Sequence, residues 1–320
     1  MARKQQPKDY RKLVEEARGL PALASVITSV MNAVIDDTSS HDIAEIIEKD
    51  GSVTARILKV INSAYYGLSG HVSTVSQAVP LLGIQVVKNI VLTFSVLDIF
   101  PQGTKDGYDF QKLWEHGFAT AAASRLIARE MRYPDPEEAL VAGLLHDIGV
   151  LVFTRHGLDD YKAVLRECEE TGRPLVDIEQ RVLGINHAEV GALLAEKWKL
   201  PEILVAPVRY HHHDVLPDDM QRQTRLLTDI VHVADTMCRI FSLPVSHEQI
   251  LTFRTEAQSR LKVSDEVLVE TLKGVTVEME RTAESFMVMP PKSYVEILEQ
   301  AHLELGRLNL AYLMEKQPVE

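Results

Sequence analysis

The apolar residues of this sequence recur at intervals of three and four positions over most of its length, which is the spacing of one face of an α-helix. Two early examples are the series Leu23, Val26, Ile27, Val30, Met31 and Val34, and the series Val53, Ile57, Val60, Ile61 and Ala64. Sustained alternation of apolar and polar residues is rare, and no Asn-Gly dipeptide indicates a tight β-hairpin. The pattern therefore predicts an all-α, multi-helical fold.

Residues that begin or end helices punctuate this pattern. Ser39 is followed three residues later by Asp42, which is typical of a capped helix start. Residues 101–107 contain Pro, two Gly and two charged residues, and they predict a loop between two lobes. A long helix is expected to follow from about Phe110 to Met131.

The two ends of the chain differ in character. Residues 1–19 begin with a basic stretch without an apolar core, and we expect a solvated tail that leads into a helix start. Near the other end, apolar residues at heptad-like spacing predict a helix that either packs into the core or mediates dimerisation: Tyr294, Leu298, Ala301, Leu305, Leu308 and Tyr312.

Charge and cysteine content exclude several classes of protein. The net charge of −12 over 320 residues argues against a nucleic-acid-binding or membrane-surface protein. Two cysteines are too few for a disulfide scaffold, and the most apolar stretch, residues 86–100, is shorter than a membrane span and contains charged residues. These features predict a cytoplasmic protein.

Histidine is the residue type whose placement points to chemistry. His146 and Asp147 are adjacent in a predicted apolar helix, preceded by the small residues Ala139, Ala142 and Gly143, which would let a neighbouring helix approach closely. A carboxylate buried in such a helix needs a partner or a metal ion.

Other histidines and one aspartate lie on further predicted helices. His116 lies on a face expected to be buried, His187 follows the predicted cap Asn186, and Asp235 lies on an apolar stripe. Each has an ordinary alternative: a core histidine bound to a carbonyl, a first-turn surface residue, or, for the run His211–His213, a solvated helix end. Imidazoles and carboxylates together suit Zn, Fe, Mn or Ni, and such a metal can activate water for phosphoester hydrolysis.

The order of these residues resembles that of the HD superfamily of metal-dependent phosphohydrolases. Longer segments over residues 20–240 resemble the HDOD family, the HD-related output domain of bacterial signalling proteins. The matching segments are Asn62-Ser63-Ala64-Tyr65-Tyr66-Gly67, Ala142-Gly143-Leu144-Leu145-His146-Asp147-Ile148-Gly149, Asn186-His187-Ala188-Glu189, Trp198-Lys199-Leu200-Pro201 and Arg209-Tyr210-His211-His212.

The resemblance implies an HDOD domain over 20–243, with an N-terminal lobe at 20–100 and an HD-like lobe at 101–243, followed by a helical extension at 244–320. Members of the family are commonly regarded as regulatory, and many lack the HD catalytic residues. In this chain the positions that match HD metal ligands are all filled, by His116, His146, Asp147, His187, His211, His212 and Asp235.

Two departures weaken the case for cyclic-di-GMP hydrolysis. The related HD-GYP phosphodiesterases carry lysine where this chain has Val150, and their Gly-Tyr-Pro segment is absent after His213. A lysine at the first position could neutralise phosphate charge, and valine cannot.

We therefore expect a regulatory signalling protein that binds a protein partner or a small-molecule or nucleotide ligand, with one or two divalent ions and with dimerisation through the C-terminal helix as an option. The alternative is a metal-dependent phosphohydrolase of nucleotides or cyclic nucleotides, in which Asp147 and Asp235 are the catalytic candidates.

Overall fold

The computed structural model describes residues 9–16, 20, 23, 25–26, 28–30, 39–63, 66–68, 70–100, 103–240 and 247–288. The all-α prediction is confirmed. The helices are α1 Tyr10–Glu15, α2 Ser40–Glu48, α3 Gly51–Ile61, α4 Val75–Leu82, α5 Ile84–Ile99, α6 Phe110–Glu130, α7 Pro136–Leu145, α8 Gly149–His156, α9 Leu158–Thr171, α10 Leu175–Leu183, α11 His187–Lys197, α12 Glu202–Tyr210, α13 Arg222–Ile240, α14 His247–Leu261 and α15 Asp265–Phe286. The helix predicted between Tyr294 and Tyr312 lies outside the described residues.

The predicted cap of α2 is confirmed. The Ser39 hydroxyl accepts a hydrogen bond from the Asp42 backbone N–H at 3.2 Å, and the Asp42 carboxylate accepts one from the Ser39 backbone N–H at 3.3 Å. This reciprocal capping box satisfies two backbone donors that the first turn of a helix leaves without a partner.

Helices α4 and α5 hold the most apolar part of the chain. Gly83 separates them with a φ of 87°, a left-handed value that glycine adopts without strain. No single helix in the described ranges is long and apolar enough to cross a membrane. Only this pair meets the length and hydropathy of a span, and its two helices are bent by 119°.

A short β-hairpin occupies part of the segment predicted as a plain loop. Thr104–Lys105 pairs in antiparallel register with Tyr108–Asp109 through a turn at Asp106-Gly107, whose φ angles are 50° and 74°. Two consecutive positive φ angles are the signature of a type I′ turn, and Asp-Gly forms this turn as Asn-Gly does. The loop prediction was wrong here because two-residue strands leave no alternation to detect.

Residues 9–16 form α1, within the segment where the sequence predicted a helix start after a solvated tail. The Tyr10 ring lies edge-on to Phe153 of α8 with centroids 4.9 Å apart, and Arg11 pairs with Glu189 of α11 at 2.6 Å. Tyr10 and Val14 are the apolar residues that hold this amphipathic turn, and both are buried.

Helix α6 packs against α7, α13 and α15. Gly143 allows the close approach of α7, as the run of small residues predicted. A Cβ atom at Gly143 would lie 2.7 Å from Ser124 Oγ and 2.8 Å from both Ala121 Cα and Thr120 O.

Substitution Gly143→Ala is expected to lower the free energy of unfolding. Overpacking against backbone atoms costs about 1–3 kcal/mol, which exceeds the gain of about 1 kcal/mol or less in helix propensity. Urea denaturation measures the difference. The matched control is Gly51→Ala in α3, where an added Cβ has no neighbour within 4 Å and stability should not fall. Equal stability of the two variants would contradict the tight α6–α7 contact.

The sequence suggested that His146-Asp147 lies inside a helix. In the structure the dipeptide lies in a break between two helices. Helix α7 ends at Leu145 and α8 begins at Gly149, and the turn between them is closed by Ile148 N–H to Leu145 O at 2.9 Å. Because this turn is not a regular helix, the side chains of the two adjacent residues are not forced apart, and both can point toward the same site.

Helix α15 contacts both halves of the chain. Its Glu278 carboxylate accepts a hydrogen bond at 2.6 Å from Nε of Arg125 in α6, and Arg125 is fully buried. Farther along, the Phe286 ring packs edge-on against Phe94 of α5, with centroids 5.2 Å apart. The division into two lobes and an extension stays a prediction.

Candidate metal centre

The side chains that match HD metal ligands converge on one site. They come from α6, from the turn between α7 and α8, from the first residue of α11, from the end of α12 and from α13: His116, His146 and Asp147, His187, His211 and His212, and Asp235. Their ligating atoms form three overlapping groups, and within each group all these atoms lie within 4.8 Å of one another.

Asp147 lies at the middle of the cluster. Its Oδ1 is 3.1 Å from His187 Nε2 and 3.6 Å from His211 Nε2. Its Oδ2 is 3.3 Å from His146 Nε2 and 3.6 Å from His116 Nε2. The two oxygens of one carboxylate therefore face two different pairs of histidines.

Three of the histidines are oriented by a hydrogen bond from the ring nitrogen that points away from the cluster. The Nδ1–H groups donate to Gly143 O (2.7 Å, from His146), to Val208 O (2.9 Å, from His211) and to Glu179 Oε2 (2.7 Å, from His187). Metal-binding histidines are held in this way, since a bond at one nitrogen fixes the ring and raises the basicity of the other.

The inward nitrogens fit a divalent cation. His211 Nε2 is buried without a hydrogen-bond partner, and the Nε2 atoms of His187 and His212 lie 2.8 Å apart. Two imidazole nitrogens at this distance share either a proton or a metal cation, and a buried acceptor without a partner, such as His211 Nε2, costs free energy. The cluster could therefore hold a metal ion, and its imidazole and carboxylate donors suit Zn, Fe, Mn or Ni.

The two carboxylates stay ionised at neutral pH. Burial raises the pKa of Asp147, but His146 and His187 outweigh burial and hold that pKa well below its usual range. Burial also raises the pKa of Asp235, and Arg239 is the largest of the influences that bring it well below that range. Burial lowers the pKa of His146, yet the Asp147 and Asp235 carboxylates raise it to about 10. Both aspartates are thus available as anionic ligands.

The site is buried on most sides and open on one. The side chains of His116, Asp147 and His212 are 14–17% exposed, whereas His146 and His211 are fully buried. A catalytic metal keeps a coordination position that solvent or substrate can reach, and a purely structural one does not. The partial exposure therefore favours a site that exchanges ligands.

The ordinary alternatives do not describe His187, His211 and His212. His187 is 2% exposed, so it is not a first-turn surface residue, and His211 and His212 do not form a solvated run. His213, the third residue of that run, does turn outward and is exposed.

Sequence reasoning missed three supporting residues. Glu179 is fully buried and accepts hydrogen bonds from both the backbone N–H and Nδ1 of His187. His232 is 5% exposed and donates from Nδ1 to His211 O at 2.6 Å. Arg239 pairs with Asp235. Glu179 follows Ile178 on an amphipathic helix, so a charged residue beside the apolar stripe was the available signal.

Substitution Glu179→Gln is expected to weaken metal binding by about tenfold or more, because carboxylates behind a ligating histidine typically contribute 10–100-fold to affinity. The isosteric amide keeps the shape of the site and removes the charge behind His187. Competition against a chromogenic chelator measures the affinity. Glu167→Gln, at a surface ion pair with Arg181, is the control and should bind as the native protein does. Unchanged affinity in Glu179→Gln would contradict its role behind His187.

Comparison with known proteins places the chain in a family. The HDOD domain model matches residues 20–214. A curated but uncharacterized protein of Treponema pallidum (strain Nichols) is 26% identical over 267 residues, which are 80% of this chain and 50% of that protein. The chain thus spans about half the length of this relative, and its match to the Bacillus subtilis (strain 168) protein YuxH covers 26% of that protein.

Solved structures share the fold. A crystal structure of an HDOD domain protein of unknown function from Geobacter sulfurreducens has a TM-score of 0.65 at 24% identity, over 86% of this chain and 97% of that one. A Shewanella amazonensis SB2B protein with an inferred phosphohydrolase assignment has a TM-score of 0.59 at 22% identity, over 93% and 97%. At these identities the likeness shows the fold alone. The family match, which covers more than half of the chain, establishes that this protein belongs to the HDOD domain family.

Proposed function

We propose that this protein is a divalent-metal-dependent phosphohydrolase that acts on the phosphate ester of a nucleotide or a similar small molecule. The observation that carries the proposal is the convergence of five imidazoles and two ionised carboxylates on one partly open site. A site of this composition is costly to build without a cation, because it leaves the buried His211 Nε2 without a hydrogen-bond partner.

The proposed ligands divide around Asp147. His187, His211 and His212 lie on the side of its Oδ1, and His116 and His146 lie on the side of its Oδ2. If two ions were bound, these two groups of side chains would hold them, and Asp235 would belong to the His116 group, since its Oδ1 is 3.1 Å from His116 Nε2. When bound, divalent ions supply Lewis acidity and lower the pKa of water.

The protein side chains supply the rest of the proposed chemistry. The buried rings of His146 and His211 hold their ligating nitrogens rigidly, since both are fixed from behind by backbone carbonyls. The open side at His116, Asp147 and His212 is where a phosphate ester can reach the centre. The surrounding apolar core keeps bulk water from the other faces.

A second candidate function is regulation, in which the same centre senses a metal or ligand and a bound signalling partner receives the response. The observation that favours it is Val150, which is 3% exposed in α8 and leaves the HD-GYP lysine position apolar. Dimerisation through the C-terminal residues would belong to this function.

Metal analysis followed by turnover assays separates the candidates. Purified protein is analysed by inductively coupled plasma mass spectrometry and then assayed with bis-p-nitrophenyl phosphate, nucleoside monophosphates and cyclic nucleotides. Stoichiometric metal with turnover that His146→Ala abolishes supports the hydrolase. Bound metal without any turnover favours the regulator, and protein that takes up no divalent metal contradicts both metal-dependent functions.

A further inference from the structure

Arg239 stands at the edge of the metal centre. It lies one helical turn after Asp235 on α13, and its terminal NH2 group is 2.9 Å from Asp235 Oδ2. The same oxygen lies 3.9 Å from Nδ1 of His212, a residue on the open side of the site. The Arg239 side chain is 50% exposed, so it contacts both the buried Asp235 and the solvent.

Most N–H donors of this guanidinium remain available for a ligand. A guanidinium carries five N–H donors in a planar fork, and among the described residues the ion pair of Arg239 is with Asp235, while Glu256 and His212 also lie within electrostatic reach of it. Asp235 is 1% exposed, and this ion pair keeps one terminal nitrogen of Arg239 close to the cluster.

Comparison with an ordinary surface arginine shows what is distinctive. Arg181 is equally exposed, at 49%, but its partner is Glu167, which is itself 34% exposed. Such a surface pair contributes little. Arg239 is instead anchored by a carboxylate that belongs to the metal cluster, so its charge is fixed beside the proposed ions.

We infer that Arg239 binds the phosphoryl group of an anionic ligand at the metal centre. The inference rests on the proposed function and names the ligand class: a phosphate monoester or diester whose non-bridging oxygens take two parallel N–H donors. Arginine recognises phosphate in this bidentate manner, and lysine acts as a point charge without the fork. Arg239 on α13 thereby supplies a positive charge for the phosphate, which the HD-GYP enzymes supply with a lysine at the position of Val150 on α8.

Inorganic phosphate is the probe, and the whole 320-residue chain is used. Metal content is measured first by mass spectrometry for the native protein, Arg239→Gln, Arg239→Lys and the control Arg181→Gln. Phosphate affinity of each metal-loaded protein is then measured by isothermal titration calorimetry. Arg239→Gln is expected to keep its metal, because the change removes a cation, and to bind phosphate about tenfold or more weakly. Arg239→Lys should recover part of that loss, and Arg181→Gln should match the native protein.

Two results would overturn the inference, and they are distinguishable. If native protein and Arg239→Gln take up the same metal and bind phosphate equally, the inference alone fails. The same holds if Arg239→Gln loses metal while its remaining loaded fraction binds phosphate normally, since Arg239 would then only neutralise Asp235. Native protein that takes up no metal overturns the proposed function together with the inference, and the first measurement alone shows it.

Discussion

Asp147→Asn is expected to bind divalent metal at least about 100-fold more weakly than the native protein. Removing a residue that only supports a metal ligand typically weakens affinity by about 10–100-fold, and loss of a ligand should weaken it at least as much. The reason is its central position, with four histidine Nε2 atoms within 3.6 Å of its two oxygens. The amide removes the negative charge and turns an NH2 group toward one pair of imidazoles. Metal content after purification and calorimetric titration of metal into the chelator-treated protein measure the effect.

The control for this experiment is Asp98→Asn. Asp98 pairs with Arg56 of α3 and is 61% exposed, so its substitution should leave metal binding unchanged. Circular dichroism separates loss of metal from loss of fold. A folded Asp147→Asn protein with native metal affinity would contradict the central role of this carboxylate.

Glu278→Ala is expected to lower the free energy of unfolding by about 3–5 kcal/mol, the usual result of breaking a buried ion pair from one side. Glu278 accepts hydrogen bonds from Arg125 Nε at 2.6 Å and from a terminal nitrogen of Arg129 at 3.2 Å. Its removal leaves the fully buried Arg125 with Glu137 at 3.4 Å as its remaining carboxylate among the pairs described. Urea denaturation, monitored by far-ultraviolet circular dichroism, measures the change.

The same helix offers a matched control. Glu270 pairs with Lys273 on the surface of α15, and both side chains are largely exposed. Glu270→Ala should change stability by about 0.5 kcal/mol or less, because exposed pairs contribute little. If the two glutamate variants unfold at the same urea concentration, the buried network does not hold α15 as described.

Local patterns explain why most helices could be predicted from the sequence. The cap at Ser39 and the extent of α6 depend on residues within one or two turns, and the structure agrees with both. The hairpin at Asp106-Gly107 escaped detection because its strands are too short for a period. For residues 1–19 the sequence predicted a tail and a helix start without bounds, because the six residues of α1 are stabilised by contact with the distant Phe153.

Prediction from sequence was also limited at the candidate metal centre, where contacts between side chains of separate helices matter. Its candidate ligands were named from their placement on predicted helices and from an order that resembles a known family, and the structure brings them together. The partners behind them were not predicted: Glu179 reaches His187 across a helix boundary, and His232 reaches the His211 carbonyl from 21 residues away. Hydrogen bonds between separate helices depend on packing, which no short sequence pattern encodes.

The position of Glu278 also bears on how this chain can be divided and how it evolves. The family match ends at residue 214, yet Arg125 inside the matched region depends on a carboxylate beyond it. A shortened gene product that stops at the family boundary would carry an arginine charge in its interior without that carboxylate. Recombination that exchanges this domain between proteins must therefore carry α15 along, or replace Arg125 in the same step.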